Sequence, residues 1–139
     1  MKYDIHEMLR LAEAARLNAY APYSHFYVGA CIFTAQGKYH VGCNVENAAY
    51  PMGQCAEATA LGNMVVAGEQ KILAVLVTAD TEIGVSPCGG CLQKMSEFIL
   101  PETEVISANG AGVFRYKKFS DLFASQFTTM FSALNKKGL

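Results

Sequence analysis

The chain has 139 residues, enough for one domain with a core of its own and tight for two. Hydrophobic residues make up 52% of it and charged residues 17%, which excludes a disordered or solvating chain. A formal net charge of −1 argues against a dedicated nucleic-acid binder, and so much apolar surface with so few charges points to faces covered by partner subunits.

No targeting segment is expected, because Met1 to Glu7 carries acids where a signal peptide needs a basic start and an apolar run. Leu17 to Gln36 has no formal charge, but Asn18, Pro22, Ser24, His25 and Gly29 interrupt it, so it is not a continuous apolar span. The expectation is a soluble cytoplasmic protein that touches no membrane, folded as a single domain over residues 1–139.

In chain order, Ile5, Met8, Leu9, Ala12 and Ala15 recur at helical spacing, with Asp4 as cap and Glu7 completing a variant of the capping box. Tyr20 to Tyr23 ends that helix. Val28 to Thr34 and Lys38 to Val45 read as two strands joined by a turn at Ala35-Gln36-Gly37. Cys55 to Ala67 reads as a helix with Gly68 at its C-terminal cap. Ile72 to Thr78, wholly apolar but for its last residue, reads as a central strand buried on both faces. Ser86-Pro87 starts a helix over Cys88 to Phe98, Thr103 to Ser107 is a short strand, and the tail after Lys118 is helical in part. Alternating strands and helices imply an α/β fold with a largely parallel sheet covered on both faces. Ligands in such sheets bind at the carboxyl ends of strands, here after Val45 and after Thr78.

The chemically loaded residues follow those two strand ends. Cys55-Ala56-Glu57 opens one helix and Pro87-Cys88-Gly89-Gly90-Cys91 the next. Cys88 and Cys91 are one helical turn apart, and helix N-termini favour thiolates. Three thiolates converging from two helix starts make a zinc site with one open position, the catalytic rather than the structural pattern. Glu57 is placed to take and return a proton from a metal-activated water without itself ligating the metal. A ligand-x-Glu segment followed by Pro-Cys-x-x-Cys is the arrangement of the zinc nucleobase deaminases. Cys88 and Cys91 alone also fit a thioredoxin-like redox pair. A structural zinc would need a fourth ligand, for which His25 and His40 are the candidates, neither at ligand spacing. Five cysteines is an odd count; Cys31 and Cys43 read as buried packing residues.

Four segments together resemble the small homotetrameric cytidine deaminases: Tyr20 to Gly29, Gly42 to Tyr50 (with Asn44-Val45-Glu46-Asn47), Cys55-Ala56-Glu57, and Pro87 to Gln93. Order and spacing agree from about residue 5 to residue 127. The resemblance implies a three-layer α/β/α fold on a mixed sheet of about five strands. It also implies zinc-dependent hydrolytic deamination of cytidine or deoxycytidine with release of ammonia, in pyrimidine salvage. Residue by residue, it implies that Cys55, Cys88 and Cys91 hold one Zn²⁺ and that Glu57 shuttles protons. Asn44 and Glu46 would bind ribose hydroxyls, the Ala56 amide the pyrimidine 2-oxygen and the Ser86 carbonyl the leaving amino group. Phe26 would stack near the base, and Phe127 would enter a neighbouring subunit's site; for both, ordinary core packing is the competing reading. The chain departs from the family pattern at Ala58 and Leu92, where arginine is usual, and at Ala124, where proline is usual. Deaminases of blasticidin-type antibiotics share an apolar residue after Cys-Ala-Glu, so a modified cytosine nucleoside is the alternative substrate. A non-catalytic zinc or redox protein is the alternative from another class.

Overall fold

The computed structural model describes residues 2–127. Helix α1 (Ile5–Arg16) starts where Asp4 accepts from the His6 and Glu7 amides at 3.0 and 3.2 Å. The capping box is only half made. Glu7 pairs with Arg10 instead of reaching back, and the Asp4 amide donates to the Tyr39 hydroxyl.

Five strands form one sheet in the order β2-β1-β3-β4-β5. β1 (Val28–Thr34) lies antiparallel to both β2 (Tyr39–Cys43) and β3 (Ile72–Ala79). β3 runs parallel to β4 (Ile99–Asn109), and β4 antiparallel to β5 (Gly112–Lys118). The expectation of a largely parallel sheet is therefore corrected: of the four strand pairs only β3–β4, joined through a crossover helix, is parallel. The other pairs follow from two tight hairpins and from β1 sitting inverted between β2 and β3. The short strand expected at Thr103 to Ser107 extends at both ends, and β5 is an addition.

α2 (Ala56–Val66), α3 (Gly89–Met95) and the one-turn α4 (Phe119–Leu122) complete the layers, with a short 3-10 turn at Tyr50–Met52. The rest of the tail expected to be partly helical, from residue 128 on, lies outside the described residues. Period-2 alternation splits the sheet's side chains between two cores. Ala30, Ile32, Val75, Val77 and Val105 face α2, α3 and Phe119. Cys31, Phe33, Leu76 and Ile106 face Met8 and Ala12 of α1. Every residue of β3 but Leu73 is buried. Two glycines let helices lie directly on strands. A Cβ at Gly29 would sit 1.9 Å from the Ala12 carbonyl oxygen, and one at Gly42 2.3 Å from the Ala60 amide nitrogen. Among the described residues no helix is long and apolar enough to cross a membrane.

This topology assembles the site. Because β1 is inverted, β2 and β3 point the same way and their carboxyl ends flank the start of β1. Gly29 pairs with both Cys43 and Thr78. The segments after β2 and β3, separated by some thirty-five residues of sequence, thus meet at one end of the sheet.

Candidate active site

Cys55 is the N-cap of α2 and Cys88 the N-cap of α3, both in extended conformation and neither using its side chain to cap. Cys91 stands one turn into α3 and is buried. All three sulfurs lie within 4.8 Å of one another, with Cys55 Sγ and Cys88 Sγ 3.8 Å apart. Tetrahedral zinc with bonds of ~2.3 Å to sulfur separates its ligand sulfurs by about 3.8 Å, so the cluster fits that ion. The start of α2 is pinned by Thr59, whose hydroxyl donates to the Cys43 carbonyl at 2.9 Å and accepts from Gln54 Nε2 at 2.8 Å. Protons are shared unequally among the sulfurs. The Cys91 thiol donates to Cys55 and is itself pushed upward. That bond, a second from Cys88 and the charge of Lys94 draw Cys55 down to about 6 against burial. Cys31, by contrast, is pushed up to about 12 by burial, which suits a packing residue.

Glu57 is 4% exposed. Burial, reinforced by the charge of Cys55, pushes its carboxyl up to about 7, although its own backbone amide and Cys91 hydrogen-bond to it. A carboxyl poised near neutrality can both give and take a proton.

A cavity of about 650 Å³ opens beside this cluster. Phe26, Asn44, Glu46, Cys55, Ala56, Glu57, Ser86 and Cys88 all line it, so residues spread over sixty positions of sequence come together around one cavity. Phe127 does not line the cavity and is 54% exposed. Asn44 is tied to the chain before β1: its Oδ1 accepts from the Val28 amide at 2.9 Å and its Nδ2 donates to the Phe26 carbonyl at 2.8 Å. Glu46 accepts from the Tyr23 and Ser24 amides and, at 2.5 Å, from the Ser24 hydroxyl. The Ser24 hydroxyl and these amides hold its carboxyl below the ordinary range against burial. Tyr23, Ser24, Asn47, Tyr50 and Gln54 also line the cavity and were not singled out from the sequence. Four of them, all but Gln54, stand inside two of the segments that carried the family likeness, but sequence spacing alone does not say which way each side chain faces.

The comparisons with known proteins agree with this geometry. Residues 2–107 match the model of the cytidine and deoxycytidylate deaminase zinc-binding region. A cytidine deaminase of Halalkalibacterium halodurans is 38% identical over 125 residues, covering 90% of this chain and 95% of that protein. One from Sporosarcina psychrophila is 45% identical over 95 residues, covering 68% and 70%. Among solved structures, a cytidine deaminase from Burkholderia pseudomallei superposes with a TM-score of 0.84 at 42% identity, covering 90% of this chain and all of that one. A three-sulfur cluster at two helix starts, a buried carboxyl two residues past the first sulfur and a family match over both segments lead to one conclusion: the chain belongs to the cytidine and deoxycytidylate deaminase zinc-binding family.

Proposed function

We propose that this protein hydrolyses the exocyclic amino group of cytidine and deoxycytidine. One water is consumed, the uracil nucleoside and ammonia are released, and nothing is oxidised or reduced. The observation that carries this reading is Glu57, a buried carboxyl poised at about 7 beside three clustered sulfurs in a nucleoside-sized cavity. Cys55, Cys88 and Cys91 would hold zinc, and the chemistry zinc supplies there is activation of water.

The chain's own groups do the rest. Glu57 carries a proton to the pyrimidine N3 and then to the departing amine. Ala56 is the first residue of α2, so its N–H has no intrahelical partner and is available to the pyrimidine 2-oxygen. The Ser86 carbonyl accepts from the amino group before it leaves. Phe26 stacks against the base. The 3′-hydroxyl accepts from Asn44 and donates to Glu46, an amide and a carboxylate supplying the two complementary halves.

The working form is a cytoplasmic homotetramer acting in pyrimidine salvage, with Phe127 entering a neighbour's site. What supports association is exposed apolar surface on the 3-10 turn beside the cavity, where Tyr50 is 77% and Met52 67% exposed. Ala58 favours a second reading, a modified cytosine nucleoside as substrate.

The test is ammonia release from cytidine by the purified, zinc-loaded protein. Glu57→Gln should keep one zinc per chain and the fold while losing deamination by roughly 10²–10⁴-fold. A near wild-type rate in that variant would remove Glu57 from the chemistry. Release from N4-substituted cytosine nucleosides but not from cytidine would select the second reading.

A further inference from the structure

Part of the cavity wall is a strap of chain, residues 20–28, laid against residues 44–46. Its ends are fastened by backbone: at Tyr20 the amide donates to the Asn44 carbonyl at 3.0 Å and the carbonyl accepts from the Glu46 amide at 2.8 Å, and at Val28 the carbonyl accepts from the Asn44 amide at 3.3 Å. Near β1 the Asn44 side chain holds both Phe26 and Val28. The middle of the strap is held by Glu46, whose Oε1 accepts from the Tyr23 and Ser24 amides, and by the Ser24 hydroxyl. Ser24 Oγ donates to Glu46 Oε2 at 2.5 Å and accepts from the Phe26 amide at 3.0 Å. Between them His25 takes the left-handed conformation, φ 55°, which turns the chain so that the Phe26 amide can reach back two residues.

The hydroxyl has one hydrogen, and an ionised carboxylate can only accept, so the direction of this chain is forced: Phe26 N–H to Ser24 Oγ–H to Glu46. Glu46 Oε1 already accepts two amides, from Tyr23 and Ser24. A carboxylate offers about four lone-pair sites, so three are taken and one remains, on Oε2 beside the serine hydroxyl. That remaining site is the one a ribose hydroxyl would use. The two amides fix Oε1, and the Ser24 hydroxyl, the side-chain donor on Oε2, sets the direction of that remaining site.

The geometry points to Ser24 as a positioning residue for nucleoside recognition: its hydroxyl aims the free lone pair of Glu46 at the sugar and, through the same oxygen, sets the backbone of Phe26 on the base side. This rests on the reading of Asn44 and Glu46 as the sugar site. The hydroxyl does not touch the C4 amino group or Glu57, so it should act on substrate binding and leave the chemical step alone.

Steady-state kinetics of the zinc-loaded enzyme on cytidine test this. Ser24→Ala should raise KM about tenfold with kcat within about twofold, the size expected for a hydrogen bond to a charged acceptor. Ser24→Thr keeps a hydroxyl and should stay within about twofold of wild type, while Ser24→Val, its isostere without one, should match Ser24→Ala. The part of the effect that runs through Glu46 vanishes once that carboxylate is gone, so adding Ser24→Ala to Glu46→Ala should raise KM by clearly less than Ser24→Ala does alone. An unchanged KM in Ser24→Ala, independent addition of the two effects, or a Ser24→Thr as damaged as Ser24→Val would overturn the inference. A wild-type KM in Glu46→Ala would overturn the sugar-site reading and this inference with it, whereas a loss in Glu46→Ala alone would leave that reading standing and overturn only the role of Ser24.

Discussion

Ala58 follows Glu57 directly and offers a methyl group where the family pattern carries a guanidinium; Leu92, the other position where arginine is usual, is packed into the core cluster that includes α2. Three thiolates on Zn²⁺ leave a cluster of net charge −1, and a cation nearby would withdraw electron density from the sulfurs. Arg16 is engaged with Glu13, and the cation that bears on Cys55 is Lys94, on the exposed side of α3, where water screens it. The site should therefore be electron-rich. Ala58→Arg is expected to raise turnover of cytidine relative to an O4-substituted analogue by roughly 2- to 10-fold, about 0.4–1.4 kcal/mol of barrier. A zinc-loaded variant with no gain on cytidine would mean that helix dipoles and Lys94 already balance the cluster. At this scale the sequence is a good guide to the sulfurs and to Glu57, because spacing along a helix start dictates which atoms can converge. It is a poor guide to Ser24, whose role is a hydrogen bond to a residue twenty-two positions away.

At the scale of elements, α2 carries Cys55 and Glu57 at one end and a second buried carboxylate just past the other. Glu69 follows Gly68, whose φ of 86° ends the helix, and is 2% exposed. It accepts from the Thr34 hydroxyl at 2.5 Å and pairs with the His40 ring, fastening the far end of α2 to the β1–β2 hairpin. Burial pushes its carboxyl up, but Thr34, His40 and the charge of Lys38 together hold it below the ordinary range. A carboxylate whose folded pKa is depressed binds fewer protons folded than unfolded, so its stabilisation is full above the unfolded value and fades as pH falls. Wild type should exceed Glu69→Gln in unfolding free energy at neutral pH by roughly 1–3 kcal/mol, and that gap should close below about pH 4.5. Denaturant titrations of both proteins across pH 3–8 measure it; a gap that persists at pH 3 would show that Glu69 acts by shape rather than charge. Asn109-Gly110 is a strong turn signal that the sequence reading did not use; in the structure it joins β4 to β5, and Asn109 Oδ1 accepts from the Ala111 and Gly112 amides. β5 itself was not legible, because Arg115 to Lys118 is an exposed edge with no apolar alternation to read.

For the whole molecule, the exposed Tyr50 and Met52 and the low charge content make self-association the expected state. Light scattering of the purified protein should give four times the chain mass, and diluting it to the monomer should cost activity. A fully active monomer would show the site to be complete within one chain.

What the sequence determined by itself was local: which segments are helical, that β3 is buried on both faces, and that cysteines stand at helix starts with a carboxylate two residues on. These follow from periodicity, capping and spacing, which are properties of near neighbours. The tertiary structure decided strand direction, and with it the site. The short turn at Ala35-Gln36-Gly37 makes β1 antiparallel to β2, but nothing in the residues of β1 says that it also runs opposite to β3. That pairing is selected by which arrangement buries both faces of the sheet at once, a condition on the whole chain. Only through it do the carboxyl ends of β2 and β3 come side by side, so that Asn44 and Glu46 face Cys55, Glu57 and Cys88 across one cavity.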